Sequence, residues 1–161
     1  MGNTEIGKSP FSEIHHIGVI VKDLDKTVEL YESLGMGPFE RISVTVRERN
    51  LPSGESLDDL KLMAKQAHVG PIRIELIQPV SGKWSKPFMG FLESRGEGVA
   101  HIAFLARDIE KDETKAVTMG IDIMYTSKFV NGGANAYFET QEIGGVIFEL
   151  LQRPSDYVPH D

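Results

Sequence analysis

HIGVIVKDLDKTVELYESLG at residues 16–35 and HIAFLARDIEKDETKAVTMG at residues 101–120 are one pattern written twice, and internal repetition governs how every other residue is read. Aligned without gaps, the two share His-Ile at the start, an Asp, a Lys and a closing Gly. A second pair follows: IRIELIQP at 72–79 and VIFELLQ at 146–152, with Glu-Leu-apolar-Gln in common. Each half of the chain therefore opens on a His and closes on a Glu. His16 to Glu75 spans 59 positions and His101 to Glu149 spans 48, so the first half is longer by 11. The polar stretch RERNLPSGESL (47–57) is the expected place of that insertion.

Working outward, both halves carry the same succession of local signals. His16–Val21 and His101–Ala106 are short apolar runs suited to strands. Asp23 and Asp108 then stand where a helix needs an N-cap, since a short carboxylate accepts from the orphan amides of the first turn. Leu24, Val28 and Tyr31 give the first helix one apolar stripe; Ile109, Ala116 and Val117 give the second a weaker one. Gly35 and Gly120 are placed to end the helices. Strands are expected near 38–46, 59–67 and 71–78, then near 122–128, 134–140 and 145–152. The sum is a βαβββ unit occurring twice: one module over about 12–80, a linker at 81–97 with a short helix near 85–94, a second module over about 98–153, and a tail at 154–161. The fold class is α+β, and the whole chain, 1–161, reads as a single domain.

Alternation along a strand sorts side chains onto two faces. Ile17, Val19 and Val21 share one face and His16, Gly18 and Ile20 the other; Ile102, Phe104 and Ala106 likewise lie opposite His101, Ala103 and Leu105. Glu75 lies opposite Ile72, Ile74 and Leu76 by the same rule, and Glu149 opposite Val146, Phe148 and Leu150. The apolar faces are expected to pack on the helices, leaving His16, Glu75, His101 and Glu149 on the other side. Gly18 and Ala103 are expected to leave room for a bound molecule. A lone His opening a strand is usually a surface residue, and a lone buried Glu needs a cation or solvent. Duplication changes the weighing: two His and two Glu at equivalent positions would meet across a pseudo-twofold axis around one shared partner. His15 is the rival of His16 but falls on the opposite face. His68 is placed in a hairpin turn and His160 in the polar tail.

Composition narrows the rest. With 17 basic and 24 acidic residues the formal charge is −7, and with no basic cluster nucleic acid is a poor partner. The apolar run Ile17–Val21 is too short for a membrane span or signal-peptide core. There is no cysteine, which removes disulfides, thiolate nucleophiles and thiolate metal sites and suggests a cytoplasmic setting.

The segments HHIGVIVKDLDKTVELYESLG, IRIELIQP, FLESRGEGVAHIAF, NGGANAYFE and GGVIFELLQ together resemble the vicinal oxygen chelate superfamily, and within it the methylmalonyl-CoA epimerase and glyoxalase I branch, over residues 12–153. The resemblance implies paired βαβββ modules in an open, cup-shaped mixed sheet around one metal, with two coordination positions left for substrate oxygens. It implies a lyase or isomerase that moves a proton beside a metal-bound carbonyl through an enolate, with Glu149 as base. Two carboxylates and two imidazoles suit one divalent ion, Ni, Co, Mn, Fe or Zn, which the sequence does not separate. A small-molecule substrate, an oxoacid or acyl thioester, is implied, as is a homodimer, because members are often dimers. Simple hairpin pairing sets Ala64 opposite Glu75 and Tyr137 opposite Glu149; Gln66 and Tyr137 are the expected pocket residues. Some epimerases carry an acidic group at the place of Ala64, and glyoxalase I an Arg near its first ligand; this chain has neither. The alternatives are a metal-free binding protein of the same fold, as in bleomycin resistance, and an extradiol-type dioxygenase. Trp84, Phe88 and Phe91 are read as anchors of the linker helix, and Lys61, Lys65 and Arg73 as a solvated strand face.

Overall fold

A computed structural model describes residues 9–42, 44–57, 61–81 and 88–154. In chain order the elements are β1 (Ile14–Ile20), α1 (Leu24–Ser33), β2 (Glu40–Arg41), β3 (Val46–Asn50), β4 (Lys61–Val69), β5 (Ile72–Ser81), α2 (Met89–Arg95), β6 (Gly98–Leu105), α3 (Ile109–Thr118), β7 (Ile123–Phe129), β8 (Ala134–Phe138) and β9 (Ile147–Gln152). Parallel and antiparallel strand pairs are both present, so the class is α+β with mixed sheet pairing. No helix among the described residues is long and apolar enough to cross a membrane.

The chain divides into two compact units. Unit one comprises His16–Ser43 and Leu57–Ile102; unit two comprises Met1–His15, Val44–Ser56 and Ala103–Asp161. In unit one the strands run β2-β4-β5-β1, with β1 parallel to β5 and the other pairs antiparallel. The β4–β5 hairpin turns on Gly70-Pro71, where Gly70 has φ 63°, a left-handed value that favours glycine. The core lies on the helix side of these strands: Val21, Ala67 and Leu76 pack with Leu24 and Val28 of α1 and with Phe39, flanked by Val19, Tyr31, Met36 and Ile74. Burying a Val or Leu side chain contributes about 1.5–3 kcal/mol, so the stripe of Leu24, Val28 and Tyr31 seats α1 as its spacing implies.

In unit two the order is β9-β8-β7-β3, all antiparallel. Its apolar side is aromatic, with Phe11 edge-on to Phe104 and Phe138 at 5.5 Å and Phe104 edge-on to Phe148 at 5.2 Å. From α3, Ile109 and Ala116 are buried, but Val117 is half exposed and leaves the stripe. The larger departure is β3. The segment expected to be an inserted loop begins as a strand, paired with β7 from the other half of the chain (Arg49 opposite Ser127, Asn50 opposite Thr126). The strand expected over 38–46 is reduced to the two residues of β2. An edge strand rich in charge, VRERN, lacks the apolar alternation that marks a strand, and charge is what protects such an edge.

The repeat is visible at atomic detail. Asp23 and Asp108 accept from the backbone N–H of Lys26 and Lys111, and Gly35 and Gly120 follow the helices with φ 84° and 85°. The Gln of each Glu-Leu-apolar-Gln motif supplies a further tie. Leu24 N–H donates to Gln78 Oε1 at 2.8 Å, and Ile109 N–H donates to Gln152 Oε1 at 2.9 Å. Each motif thus sends its Glu to one face and, three residues on, its Gln to the helix start on the other.

Gly18 has a different task from the one its size suggested. A Cβ on Gly18 would lie 1.9 Å from His101 Cε1 and 2.2 Å from Nδ1, so the missing side chain makes space for an imidazole ring. Gly18→Ala is expected to cost about 1–3 kcal/mol by overpacking, a Tm drop of roughly 3–10 °C for a chain of this size, read by thermal melting. An unchanged Tm would mean that the ring moves aside freely. The caps give a second expectation. The carboxyl of Asp23 is held below its ordinary range, chiefly by the Lys26 amide, and that of Asp108 chiefly by the Lys111 side chain. A depressed carboxylate stabilises above its unfolded pKa, and that contribution is lost as pH falls through the folded value. Asp23→Asn keeps a capping oxygen, so its Tm deficit against wild type should be present at pH 7 and shrink as pH falls below the ordinary carboxylate range, while Asp23→Ala stays lower throughout.

Candidate metal centre

Three strands of unit one deliver three donor groups to the side away from α1. The register sets Gly18 of β1 and Gln66 of β4 opposite Glu75 of β5, and cross-strand partners share a face. His16 lies two residues before Gly18 on that face, and His101 comes from β6 into the space that Gly18 leaves. His101 is fully buried, His16 is 4% exposed, and the Glu75 side chain is 15% exposed. Phe88, itself buried at the start of α2, sets its ring edge-on to His101 at 6.4 Å. Phe88 thus anchors the linker helix, as expected; Trp84 lies outside the described residues.

The donor atoms converge. His16 Nε2 is 2.6 Å from Glu75 Oε2 and 2.9 Å from His101 Nε2, and His101 Nε2 is 3.9 Å from Glu75 Oε2. One ring nitrogen carries either one hydrogen or one lone pair. His16 Nε2 can donate to Glu75 or engage His101, and a single hydrogen serves only one of them well. Three lone pairs aimed at a common cation satisfy all three contacts. Two donors at right angles on an ion with bonds of ~2.1 Å stand about 3 Å apart, close to the two shorter separations. Two imidazoles and a carboxylate are a donor set for a divalent transition ion, so these residues fit the metal.

The other candidates fall as follows. Glu149 belongs to unit two, on β9, 2% exposed, with Asn135 Nδ2 donating to its Oε1 at 2.8 Å. Tyr137 stands opposite Glu149 and stacks on Tyr125, centroids 4.8 Å apart at 20°. Gln66, rather than Ala64, is opposite Glu75; Ala64 pairs with Ile77. The two-residue shift follows from the tight Gly70-Pro71 turn, which keeps His68 inside β4, where its Nε2 accepts from Arg73 Nε at 3.2 Å. His15 is buried but is no part of the three-residue cluster. His160 and the tail from 155 lie outside the described residues. Lys65 pairs with Asp25 at 3.0 Å, in keeping with a strand-surface role. Asn135 escaped the sequence reading. It lies within the NGGANAYFE segment that carries part of the resemblance, and what its amide holds depends on the β8–β9 register.

Comparison with known proteins bears on the same features. Residues 15–138 match the family described as the Glyoxalase/Bleomycin resistance protein/Dioxygenase superfamily. The uncharacterised protein YqjC of Bacillus subtilis (strain 168) is 25% identical over 150 residues, 90% of this chain and 95% of that one. Among solved structures, a methylmalonyl-CoA epimerase from Mycobacterium tuberculosis is similar with a TM-score of 0.68 at 20% identity, over 92% of this chain and 93% of that one. A Streptomyces coelicolor methylmalonyl-CoA epimerase in complex with 2-nitronate-propionyl-CoA is similar with a TM-score of 0.66 at 22% identity, over 92% of this chain and 99% of that one. At such identities the structural likeness speaks for the fold, and the family match covers most of the chain: the protein belongs to the Glyoxalase/Bleomycin resistance protein/Dioxygenase superfamily, the vicinal oxygen chelate family that its repeat resembles.

Proposed function

We propose that this protein is a divalent-metal-dependent isomerase or lyase that moves a proton on the carbon beside a carbonyl of a small acyl thioester or oxoacid. The observation that carries the reading is the single nitrogen, His16 Nε2, held within 2.9 Å of two other donor atoms. His16, Glu75 and His101 would hold the ion. The sequence repeat, which makes Glu149 the counterpart of Glu75, assigns Glu149 as the fourth ligand. When bound, such an ion supplies Lewis acidity at a carbonyl oxygen, which makes the neighbouring C–H more acidic.

The chain's own residues supply the rest. Glu149 takes the proton and returns it, with Asn135 fixing the orientation of its Oε1. Gln66, opposite Glu75, and Tyr137, opposite Glu149, are the residues assigned to substrate contact. A thioester is the favoured substrate class because similar folds were solved with acyl-CoA ligands. A homodimer and a cytoplasmic setting complete the proposal.

Elemental analysis of untagged protein, after exposure to Ni, Co, Mn or Zn and removal of the excess, is expected to give one ion per chain. Glu75→Gln and His101→Ala should each weaken binding by more than about 100-fold, beyond what loss of an outer partner costs. No ion in wild type after loading with each metal would overturn the metal reading and leave a binding protein of the same fold. Glu149→Gln should abolish solvent deuterium exchange at the α-carbon of 2-methylmalonyl-CoA, followed by NMR, with the far-UV spectrum unchanged. Persistence of exchange in that variant would remove Glu149 from proton transfer.

A further inference from the structure

The outer edge of unit one carries a second polar cluster, on the side that faces α1 rather than the metal centre. The register sets Glu40 opposite Gln66 and Arg41 opposite Lys65 across β2 and β4, and Lys65 opposite Leu76 of β5. Adjacent residues of a strand point to opposite faces, and directly opposed ones share a face. Gln66 belongs with Glu75, so Arg41 and Lys65 stand on the other side, with the buried Leu76. Like charges directly opposite each other are destabilising, yet two are set side by side in a chain of formal charge −7. One carboxylate answers them. Asp25, in the first turn of α1, meets Lys65 Nζ at 3.0 Å, its own side chain largely exposed. An ammonium has three N–H donors, so that contact leaves two. The Arg41 guanidinium makes no hydrogen bond or ion pair among the described residues.

Beside the two cations lies a cavity. β2 ends at Arg41, and Ile42 still donates its N–H to the Ala64 carbonyl at 3.2 Å. Past that bond the edge of β4 opens into a space of about 280 Å³. The buried Leu24 and the half-buried Ile42 and Leu62 give it an apolar lining, and Arg41, Lys65 and Asp25 supply its charged part. Charge alone would be explained by protection of a sheet edge. An edge guard needs no cavity, however, and an apolar recess beside an excess of positive charge has the make-up of a small-molecule site. The volume lies just under the range that takes drug-sized ligands, so it admits one ring with its charged group. Arginine offers a planar fork and lysine a point charge, and both are suited to phosphate oxygens. A phosphate monoester carries close to two negative charges at pH 7 and so matches the opposed pair, where Asp25 offsets only one of them.

We propose that this cavity is a phosphate-monoester site, with the phosphate held between Arg41 and Lys65 and a ring of the same molecule against Leu24, Ile42 and Leu62. Two sources share that chemistry: a free nucleoside monophosphate, and the nucleotide end of an acyl-CoA thioester. The second source deepens the reading above, because it fixes the carrier end of the substrate on the unit that bears His16, Glu75 and His101. Only that source rests on the reading.

The test uses the full chain in phosphate-free buffer. Calorimetric titration with adenosine 3′-phosphate and with adenosine, at equal ionic strength, isolates the contribution of the phosphate. Wild type is expected to prefer the phosphate by at least about 10-fold, since charge-assisted bonds exceed neutral ones. Arg41→Met and Lys65→Met should each bring the ratio to within about 3-fold, and Asp25→Asn should raise it about 2-fold by removing a competing carboxylate. Arg41 and Asp25 are exposed, so far-UV spectra should be unchanged, and a rise in Asp25→Asn is not a loss of folding. Titration of metal-loaded protein with CoA and with dephospho-CoA, which differ in one phosphate monoester, separates the sources. A preference for CoA that Arg41→Met abolishes assigns the site to the thioester carrier. Equal binding of those two, beside a preference for adenosine 3′-phosphate, assigns it to a free nucleotide. No preference for the phosphate in wild type with either pair, or one that Arg41→Met and Lys65→Met both retain, overturns the proposal. The first titration needs neither metal nor turnover, so its failure is distinct from a failure of α-carbon exchange, which tests the reaction.

Discussion

The arrangement of unit one turns on three donor atoms brought closer than their own hydrogen bonding can satisfy. His16 Nε2 stands 2.6 Å from a carboxylate oxygen and 2.9 Å from a second imidazole nitrogen, in surroundings that leave His101 no exposure. Gathering such groups costs desolvation and mutual repulsion, so the gathering has to be enforced. Register does part of this, setting Glu75 level with Gly18. Glycine does another part, since any larger residue at 18 would displace the His101 ring. Phe88 closes one side. The apolar face behind the same strands, from Val21 through Ala67 to Leu76, supplies the favourable burial against which the cost is set.

Much of this was legible because the chain states it twice. Both helices begin and end where the aligned Asp and Gly residues put them, since caps are local chemistry and need no knowledge of the rest of the fold. The stripe of α1 was readable for the same reason. The Gln at the end of each Glu-Leu-apolar-Gln motif was visible as a shared letter, but its use was not. That Gln78 and Gln152 accept from the first helical amides depends on where a strand ends relative to a helix start, which is a tertiary fact.

The misreadings also have physical causes. A strand whose partner lies in the other half of the sequence gives no local signal, and β3 has only charged alternation to show. The register of β4 against β5 went astray by two residues because His68 was assigned to the turn, when Gly70 and Pro71 make it alone. A two-residue slip keeps every side chain on its proper face, so Gln66 and Ala64 remain on the Glu75 side; what changes is which of them stands level with the carboxylate. Gly18 was read as leaving room for a bound molecule, whereas the His101 ring takes that space; sequence gives no means of deciding what claims it.

Duplication produces two equivalent Glu residues, and their surroundings have diverged. Glu75 faces Gly18 on one side and Gln66 on the other, with His16 at 2.6 Å. Its neighbours are a missing side chain, an amide and a fellow donor. Glu149 faces Tyr137, takes a hydrogen bond from Asn135 and is more deeply enclosed. At the positions equivalent to their own neighbours the halves differ: Gln66 in one corresponds to Tyr137 in the other, and among the described residues no counterpart of Asn135 holds Glu75. A carboxylate pinned by an amide donor has one oxygen whose direction is fixed, which suits a group that must meet a proton at a defined point. A carboxylate among other donors suits holding a cation. On the metal-centre reading, the repeat therefore supplied two copies of one ligand, and the unmatched neighbours are what allow one of them to take on proton transfer while the other keeps the ion in place.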